Sequence, residues 1–583
     1  MLRILTVLLA SIGAGLAAQN GDAISFSKSH TINFYREVVS RDLAGLAIRS
    51  DGRIISGPTL TPLAGAPGAD LWWDWEPLGP EEGLVGTGPD GSVLRVTVSD
   101  DGQTYATEVW AESDANHLFS IKHLARRRLV VAGSSPDATL YVWNDQGTEL
   151  ARVALPADSI FDLLADPAES TLLVATGNPG NLYRVNLETL IEADPSADLA
   201  DRGVSLLGKV RDRNIRQLAW APSGDVLAGS APSGNLYQFP AKGGDPVILM
   251  DQESGEVTDI ITTENSDVWV AVVAAEGNTR RRVIRTASVT PQQDDSDDAK
   301  KKESEDPAPS IMEAAPVEKF SGRSSLVKIP GGTGLPESLS SRNNLAIYQI
   351  LPHEGIYLLP GGDDGELAGY DPAARRAISF AGSSSAQLTE ITPTATSGSY
   401  YVMTNNPAGL SRLNFDSREQ RTAQTKRINL QTPSTIGALR FNRLRGTSPE
   451  DVKVKMRANR GRDTREGWTP WIDALPRHGG WLAPGLTGQY VEISIAAKSD
   501  SMEPIELDRA ELFYTPHNRR PVLQSFRLIS PNFGLNFRPN NVRGSTLLTL
   551  GQVTGSSPIS NNSGFEADRK ALMASQVVPT PGA

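Results

Sequence analysis

The sequence contains no cysteine, and this absence limits how the protein can be stabilised. Without thiols there are no disulfides, so stability must come from the burial of apolar surface. A lipid anchor attached through a cysteine is not expected either. Beyond the N-terminal segment, no run approaches the roughly 18 uninterrupted apolar residues that a membrane helix needs. We therefore expect no transmembrane segment in the mature chain.

Positive charge and histidine are also scarce. The formal net charge is -12, which argues against a nucleic-acid partner, because phosphate-backbone binding needs a basic field. The six histidines fall in no metal-ligand spacing, and neither an HExxH nor a Gly-x-Ser-x-Gly motif is present. We predict no metal and no cofactor, and the sequence identifies no catalytic residue. A Ser-His-Asp triad stays open, because only the fold brings its members together.

The N-terminus has the pattern of a secretory signal peptide. In MLRILTVLLASIGAGLAAQN, Arg3 precedes an apolar stretch, which ends in the small residues Gly15-Leu16-Ala17-Ala18. The apolar stretch is too short to span a membrane, and its small-residue exit suits cleavage. We therefore predict a signal peptide over residues 1–18 and a protein that is exported, either periplasmic or secreted.

Four segments share one pattern of a short apolar strand, a corner of small and polar residues, and a second strand that alternates apolar with polar residues. They are LVGTGPDGSVLRV from Leu84, VVAGSSPDATLYVW from Val130, LVATGNPGNLYRV from Leu173 and VLAGSAPSGNLYQF from Val226. A phosphate-binding glycine loop would continue into a helix, whereas these corners continue into a strand. The pattern predicts repeated β-hairpins.

The repeat period predicts the architecture. Fainter copies begin at Ile356 and Tyr400, and a further strand precedes most of the hairpins. Units of three or four strands every roughly 40 to 50 residues are typical of β-propeller blades. We predict an all-β protein with a propeller of about seven blades over residues 30–420. The segment GLAIRSDGRIISGPTL from Gly45 is expected to help close the ring, because closure removes free sheet edges.

Three further regions differ from the blades. Residues from about 288 to 322 are rich in Asp, Lys and Pro and poor in apolar residues, which predicts a disordered insertion. Residues 421–517 contain longer strands with cleaner alternation, which predicts a β-sandwich. Residues 518–583, rich in Ser, Asn, Gly and Pro, are predicted to form a weakly ordered tail.

These segments resemble uncharacterised bacterial exported β-propeller proteins with WD40-like or NHL-like blades and a C-terminal β-sandwich. The resemblance lies in corners such as Gly177 to Val185, and in GLAIRSDGRIISGP followed by WWDWEP and LVGTGPDGSVLRV. The Gly-His and Trp-Asp pairs of strict WD40 repeats do not recur in these blades. The resemblance implies a binding or scaffolding surface and implies no reaction.

Five tryptophans are candidates for facing a ligand. In a strand, Trp72 and Trp73 point to opposite faces, so one would pack inward and the other would reach the propeller face. Trp468, Trp471 and Trp481 lie close together in a loop-rich stretch of the predicted sandwich. Exposed tryptophans can stack on sugar rings. Packing into the sandwich core is the favoured alternative, since Trp buries a large area.

The sequence favours a non-enzymatic binding or scaffold protein that recognises a protein or glycan partner. The alternative is a polysaccharide-acting hydrolase or lyase whose site lies at the propeller channel. A channel pocket lined by two carboxylates would favour the enzyme, and a channel filled with apolar side chains would favour the scaffold.

Overall fold

The computed structural model describes residues 27–275, 320–362, 364–416, 421–461, 466–498 and 504–517. Phe26–Pro516 form one compact unit. The predicted signal peptide, residues 288–319 of the predicted insertion and the predicted tail lie outside the described residues. Within the described part, no helix is long and apolar enough to span a membrane.

Short elements precede the first blade. They are β1 (Lys28–Ile32), α1 (Phe34–Glu37), β2 (Val38–Ala44), β3 (Leu46–Arg49), β4 (Ile54–Ser56) and β5 (Thr59–Pro62).

Four blades follow, each with four antiparallel strands that run from the inner to the outer strand in chain order; the pair Gly177–Asn214 links blades 3 and 4 into one sheet. Blade 1 contains β6 (Leu71–Gly79), β7 (Glu82–Gly88), β8 (Ser92–Val98) and β9 (Tyr105–Glu112). Blade 2 contains β10 (His117–Leu124), β11 (Leu129–Ser135), β12 (Thr139–Asn144) and β13 (Glu149–Ala154). Blade 3 contains β14 (Ser159–Ala165), β15 (Thr171–Gly177), β16 (Asn181–Asn186), α2 (Leu187–Glu192) and β17 (Val204–Lys209). Blade 4 contains β18 (Asn214–Trp220), β19 (Val226–Ala231), β20 (Leu236–Phe239) and β21 (Val247–Met250).

Three more blades complete the ring. Blade 5 contains β22 (Glu256–Thr262), β23 (Val268–Ala275), β24 (Gly322–Ile329), a 3-10 turn (Pro330–Gly332) and β25 (Glu337–Asn343). Blade 6 contains β26 (Leu351–His353), β27 (Ile356–Pro360), β28 (Glu366–Asp371) and β29 (Arg376–Gly382). Blade 7 contains β30 (Gln387–Pro393), β31 (Ser399–Asn405) and β32 (Gly409–Asn414). Its outer strand is β5 from the N-terminus, which pairs with β32 and closes the ring.

The propeller core is divided among the blade junctions. Seven apolar clusters each combine residues of two neighbouring blades. Leu84 of blade 1 packs with Ile121 of blade 2, and Trp72 of blade 1 packs with Met403 of blade 7. One cluster at every junction, including the junction between the last blade and the first, confirms the predicted β-propeller of about seven blades.

The C-terminal strands surround a core of their own. They are β33 (Arg421–Thr425), β34 (Ile428–Arg445), β35 (Val452–Asn459), β36 (Ile472–Arg477), β37 (Gly480–Leu482), β38 (Thr487–Ala497) and β39 (Glu506–Pro516). Pairings run from β34 through β38, β35, β36 and β37 back to β34, a closed circuit. Met456, Ile493 and Leu512 are fully buried inside it. We call these strands the C-terminal module; its assignment as a sandwich and the domain boundaries stay predictions.

The N-terminal strands join this module to the propeller. Strand β1 pairs with β39, and β2 pairs with β33. Phe34, Leu46 and Ile54 are fully buried in the core of the C-terminal module. Strand β4 also pairs with β39, whereas β3 pairs with β29, the outer strand of blade 6. The segment from β1 to β4 therefore contributes to the core of the C-terminal module and extends the sheet of blade 6.

We expect Phe34→Ala to lower the free energy of unfolding by about 3–5 kcal/mol, because it opens a cavity in that shared core. Chemical denaturation followed by tryptophan fluorescence measures the change. Leu206→Ala is the control, because Leu206 is 54% exposed on the outer strand of blade 3 and should shift stability by less than about 0.5 kcal/mol. Equal effects of the two substitutions would contradict this account of the N-terminal segment.

Candidate interaction surface at the channel mouth

Every inner strand of the propeller carries one extra residue near its start. In blades 1–5 and 7, the pairing between the inner strand and the next strand shifts by one residue at this point. In blade 6 the inner segment likewise has one residue more than its partner strand between the Ile347–Gly361 bridge and the Leu351–Leu358 pair. The extra residues are Trp73, Phe119, Phe161, Arg216, Thr258, Tyr348 and Thr389. Such a bulge re-aims side chains and leaves a backbone N–H group outside the ladder.

The residue after each bulge lies next to the following blade. These residues are Asp74, Ser120, Asp162, Gln217, Asp259, Gln349 and Glu390. At five junctions the side chain accepts a hydrogen bond from a backbone N–H group of the following blade. Trp75 N donates to Glu390 Oε2 (2.9 Å), Ile121 N to Asp74 Oδ2 (2.8 Å), Leu218 N to Asp162 Oδ2 (2.7 Å), Ile350 N to Asp259 Oδ2 (2.6 Å) and Ile391 N to Gln349 Oε1 (2.7 Å). We call these the inter-blade hydrogen bonds.

At the junctions after blades 2 and 4, the backbone N–H groups of the following blade find a different acceptor. The corresponding residues there are Ser120 and Gln217. In the blades that follow, each aspartate uses its second oxygen on its own strand: Asp162 Oδ1 accepts from Leu163 N, and Asp259 Oδ1 accepts from Ile260 N, both at 2.8 Å. Asp162 and Asp259 therefore satisfy four backbone donors, each with one oxygen on its own strand and the other on the following blade.

A lysine ammonium lies among the channel carboxylates. Lys122 Nζ on β10 is 3.7 Å from Asp74 Oδ2 and 3.4 Å from Glu76 Oε2, both on β6. Asp162 and Glu390 also act on Lys122 through their charges. The side chains of Lys122, Asp74 and Glu76 are 33%, 20% and 18% exposed. We take these groups, which lie on the inner strands of blades 1 and 2, to border the central channel.

Burial shifts the titration of these groups. It raises the pKa of Asp162 to about 7, against the opposing effect of Lys122, and raises the pKa of Asp259 to about 6. Burial also raises the pKa of Glu76, and burial together with neighbouring carboxylates raises that of Glu390. For Lys122, burial lowers the pKa and the carboxylates raise it by more, so the net shift is upward. The channel thus combines one stable cation with acids that retain protons unusually far toward neutral pH.

Consecutive bulge residues form an arc of rings at the channel mouth. Trp73 and Phe119 meet edge to face with centroids 4.8 Å apart, and Phe119 stacks on Phe161 at 5.7 Å. The guanidinium of Arg216 lies 4.0 Å from the centroid of Phe161 and donates to Glu256 at 2.6 Å. Trp73 is 39% exposed. We call Trp73, Phe119, Phe161 and Arg216 the collar; each of them is the bulge residue of its inner strand.

Trp72 and Trp73 are placed differently, because Trp73 is the bulge residue at which the alternation of the strand is interrupted. Trp72 is fully buried between blades 1 and 7, and its Nε1 donates to Pro67 O at 3.0 Å. Trp73 lies in the collar and its Nε1 donates to His117 Nδ1 at 3.2 Å. Of the two, only Trp73 has exposed ring surface, and its contact with a ligand stays a prediction.

The other three tryptophans lie in the C-terminal module. Trp481 is 3% exposed in the core, where its Nε1 donates to Val452 O at 3.0 Å. Trp468 and Trp471 are half-buried and both contact Arg457, whose guanidinium carbon lies 5.0 and 4.7 Å from their ring centroids. The structure therefore brings Trp468 and Trp471 together around a cation of the same chain, and it does not bring them to the collar.

A cavity of about 460 Å³ opens beside these tryptophans. Its lining includes Ala458, Asn459, Thr469, Ile472 and Leu486. Asn459 is engaged with its own loop, because its Nδ2 donates to Glu466 O and its Oδ1 accepts from Gly461 N, both at 2.7 Å. The channel mouth carries more charge and more ring surface, so we take it as the candidate site.

Sequence reasoning missed the collar and the channel charges. The sequence did carry a signal, a recurring pair made of the bulge residue and the polar residue after it. The pair is seen in WWDW from Trp72, IFDLL from Ile160, VTDII from Val257 and LTEIT from Leu388. In each, a polar acceptor follows the extra residue. Within the described residues, no three His, Cys, Asp or Glu side chains are placed to hold a metal ion.

We expect Asp162→Asn to cost about 1–3 kcal/mol at pH 5, because one of its two backbone donors loses its acceptor. The pKa of Asp162 is about 7 in the folded protein, against an ordinary value of 3.8. Between these two pH values the folded protein therefore binds more protons than the unfolded chain. Wild-type stability therefore falls as pH rises from about 4 to about 7, and the asparagine variant lacks this contribution. The difference between the two proteins should shrink toward about pH 8.

Denaturation midpoints at several pH values measure this difference. Asp473→Asn is the matched control, because the Asp473 side chain is 76% exposed, and its curve should run parallel to the wild type. A pH-independent difference for Asp162→Asn would contradict the assignment.

Comparison with known proteins adds little to this description. No protein-family model and no curated protein matches the sequence. Among solved structures, the β-propeller domain of Myceliophteria thermophila Cps50 (Swd1) aligns with a TM-score of 0.36 and 11% identity, covering 61% of this chain and 96% of that domain.

Proposed function

We propose that this protein is an exported, non-enzymatic β-propeller scaffold that binds a protein or glycan partner at the channel mouth. The observation that carries the proposal is the collar, in which Trp73, Phe119 and Phe161 line up on three consecutive blades with Trp73 partly exposed. Amphipathic aromatic side chains on a rigid scaffold supply large contact area at low entropic cost.

The rigidity of the surface supports the same proposal. Two of the four collar residues, Trp73 and Phe161, directly precede residues that accept inter-blade hydrogen bonds, Asp74 and Asp162. Preorganised surfaces lose less freedom on binding, which favours affinity. The collar is therefore suited to recognition without rearrangement.

The enzyme alternative has one observation in its favour, since carboxylates do line the channel. Glu76 and Glu390 are two acids of this cluster whose pKa values are raised and whose charges act on Lys122. However, Glu390 accepts the backbone N–H of Trp75, and Glu76 contacts Lys122. These contacts give the two carboxylates structural roles, so we keep a polysaccharide hydrolase or lyase as the second candidate.

We expect Trp73→Ala to weaken partner binding about tenfold or more, because an exposed ring at the centre of a contact acts as a hot spot. A glycan array and a pull-down from the extracytoplasmic protein fraction identify the partner, and titration measures its affinity. Val109→Ala is the control, since Val109 is 59% exposed on the outer strand of the same blade. Equal affinities of the two variants would contradict the site, and cleavage of any polysaccharide would favour the enzyme.

Export is proposed from the N-terminal sequence. We expect expression with the native N-terminus to yield a mature chain that begins near Gln19 and is recovered outside the cytoplasm. Intact-mass analysis of the fractionated protein tests this, with a variant carrying Leu8→Arg in the apolar stretch as control. Recovery of the uncleaved wild-type chain in the cytoplasm would contradict export.

A further inference from the structure

We propose that the channel below the collar receives a cationic side chain, a lysine ammonium or an arginine guanidinium, from a partner protein. This inference rests on the proposed function and specifies the chemistry of the partner. The three observations that carry it are the charge excess in the channel, an unpartnered buried hydroxyl and the nature of the collar.

The charge excess is the first observation. Lys122 contributes one positive charge, and it contacts Asp74 and Glu76 directly. Asp162 of blade 3 and Glu390 of blade 7 act on Lys122 through their charges and accept hydrogen bonds from backbone N–H groups. Four carboxyl groups thus act on one ammonium, and in their ionised forms they give a second cation favourable electrostatics at short range.

The second observation is Ser120. It is 2% exposed, and its Oγ has no hydrogen-bond partner among the described residues. Ser120 and Lys122 alternate with Ile121, which packs between blades 1 and 2, so both face away from that core. Ser120 also occupies the position that Asp74 and Asp162 hold in the neighbouring blades. An entering ammonium or guanidinium can donate a hydrogen bond to this hydroxyl.

The collar is the third observation. Ring faces attract cations, and Phe161 already has the guanidinium of Arg216 at 4.0 Å from its centroid. Trp73, which is 39% exposed, therefore offers ring surface that favours positive charge at the entrance to the acidic channel. This charge complementarity distinguishes a protein partner that presents lysine or arginine from a neutral glycan, which offers no cation.

Proton release should accompany binding. The titratable and charged groups of the channel are Asp74, Glu76, Lys122, Asp162, Asp259 and Glu390, with Arg216 and Glu256 at its mouth. Burial raises the pKa of Glu76, Asp162 and Glu390, so part of this set is protonated near neutral pH. A bound cation lowers those pKa values and displaces protons. Affinity should therefore increase as pH rises through about 7.

The experiment is isothermal titration of the mature full-length protein with a short Gly-Ser peptide that carries one central lysine. The matched probe replaces the lysine with norleucine, which has a similar shape and no charge. We expect the lysine peptide to bind about tenfold or more tightly, with heats that depend on the ionisation enthalpy of the buffer. Equal binding of the two peptides would overturn the proposal, as would displacement of the lysine peptide by an equimolar concentration of Ca²⁺.

Two variants sharpen the result. Lys122→Met removes the resident cation and should tighten binding of the lysine peptide about tenfold, whereas Glu76→Gln should weaken it by a similar factor. Asp473→Asn, an exposed acid in the C-terminal module, should change nothing. Thermal unfolding shows whether each variant is folded. If a variant does not fold, the proposal is judged on the wild-type protein alone, from its affinities for the two peptides and the buffer dependence of the heats.

The failure of this inference differs from the failure of the proposed function. Partner capture that depends on Trp73, together with no preference for lysine over norleucine, would overturn the inference alone. The absence of any protein or glycan partner for the wild type would overturn the proposed function, whatever the peptides show.

Discussion

The hydrogen bond from a backbone N–H of one blade to a side-chain oxygen of the preceding blade is the interaction on which the rest of the propeller depends. A bulge in each inner strand frees an N–H group beside the channel, and a buried N–H without an acceptor is costly. Asp74, Asp162, Asp259 and Glu390 supply that acceptor as carboxylates. Their burial raises several pKa values, and Lys122 offsets part of their charge. The same bulges place the collar residues at the mouth.

Closure of the ring and formation of the C-terminal module depend on one segment. Strand β5 completes blade 7, while the elements before it supply Phe34, Leu46 and Ile54 to the C-terminal core. Because strands β1 and β4 both pair with β39, the ends of the described chain are held together through sheet pairing. A change in either region is therefore transmitted to the other through shared strands and a shared core.

The hairpins of the blades could be predicted because their signals are local. Leu173 to Val185 carries both strands and the turn residues within a few positions, and the structure pairs them as β15 and β16. The contribution of residues 28–56 to the C-terminal core could not be predicted. The residues that pack against this segment lie hundreds of positions away in the sequence. Alternation of apolar residues indicates that one face of a strand is buried, but it does not identify the residues that cover that face.

The sequence by itself determined the all-β architecture and the repeat of the blades, because turn chemistry and the two-residue period of a strand are properties of neighbouring residues. Only the tertiary structure decided that Asp74, Glu76, Asp162 and Glu390 share one channel with Lys122, and that Trp468 and Trp471 enclose Arg457. Those groups come from different blades or strands. Closure of the ring and of the strand circuit sets the distances between these groups. Those distances in turn set the charge balance of the channel and the geometry of the candidate site.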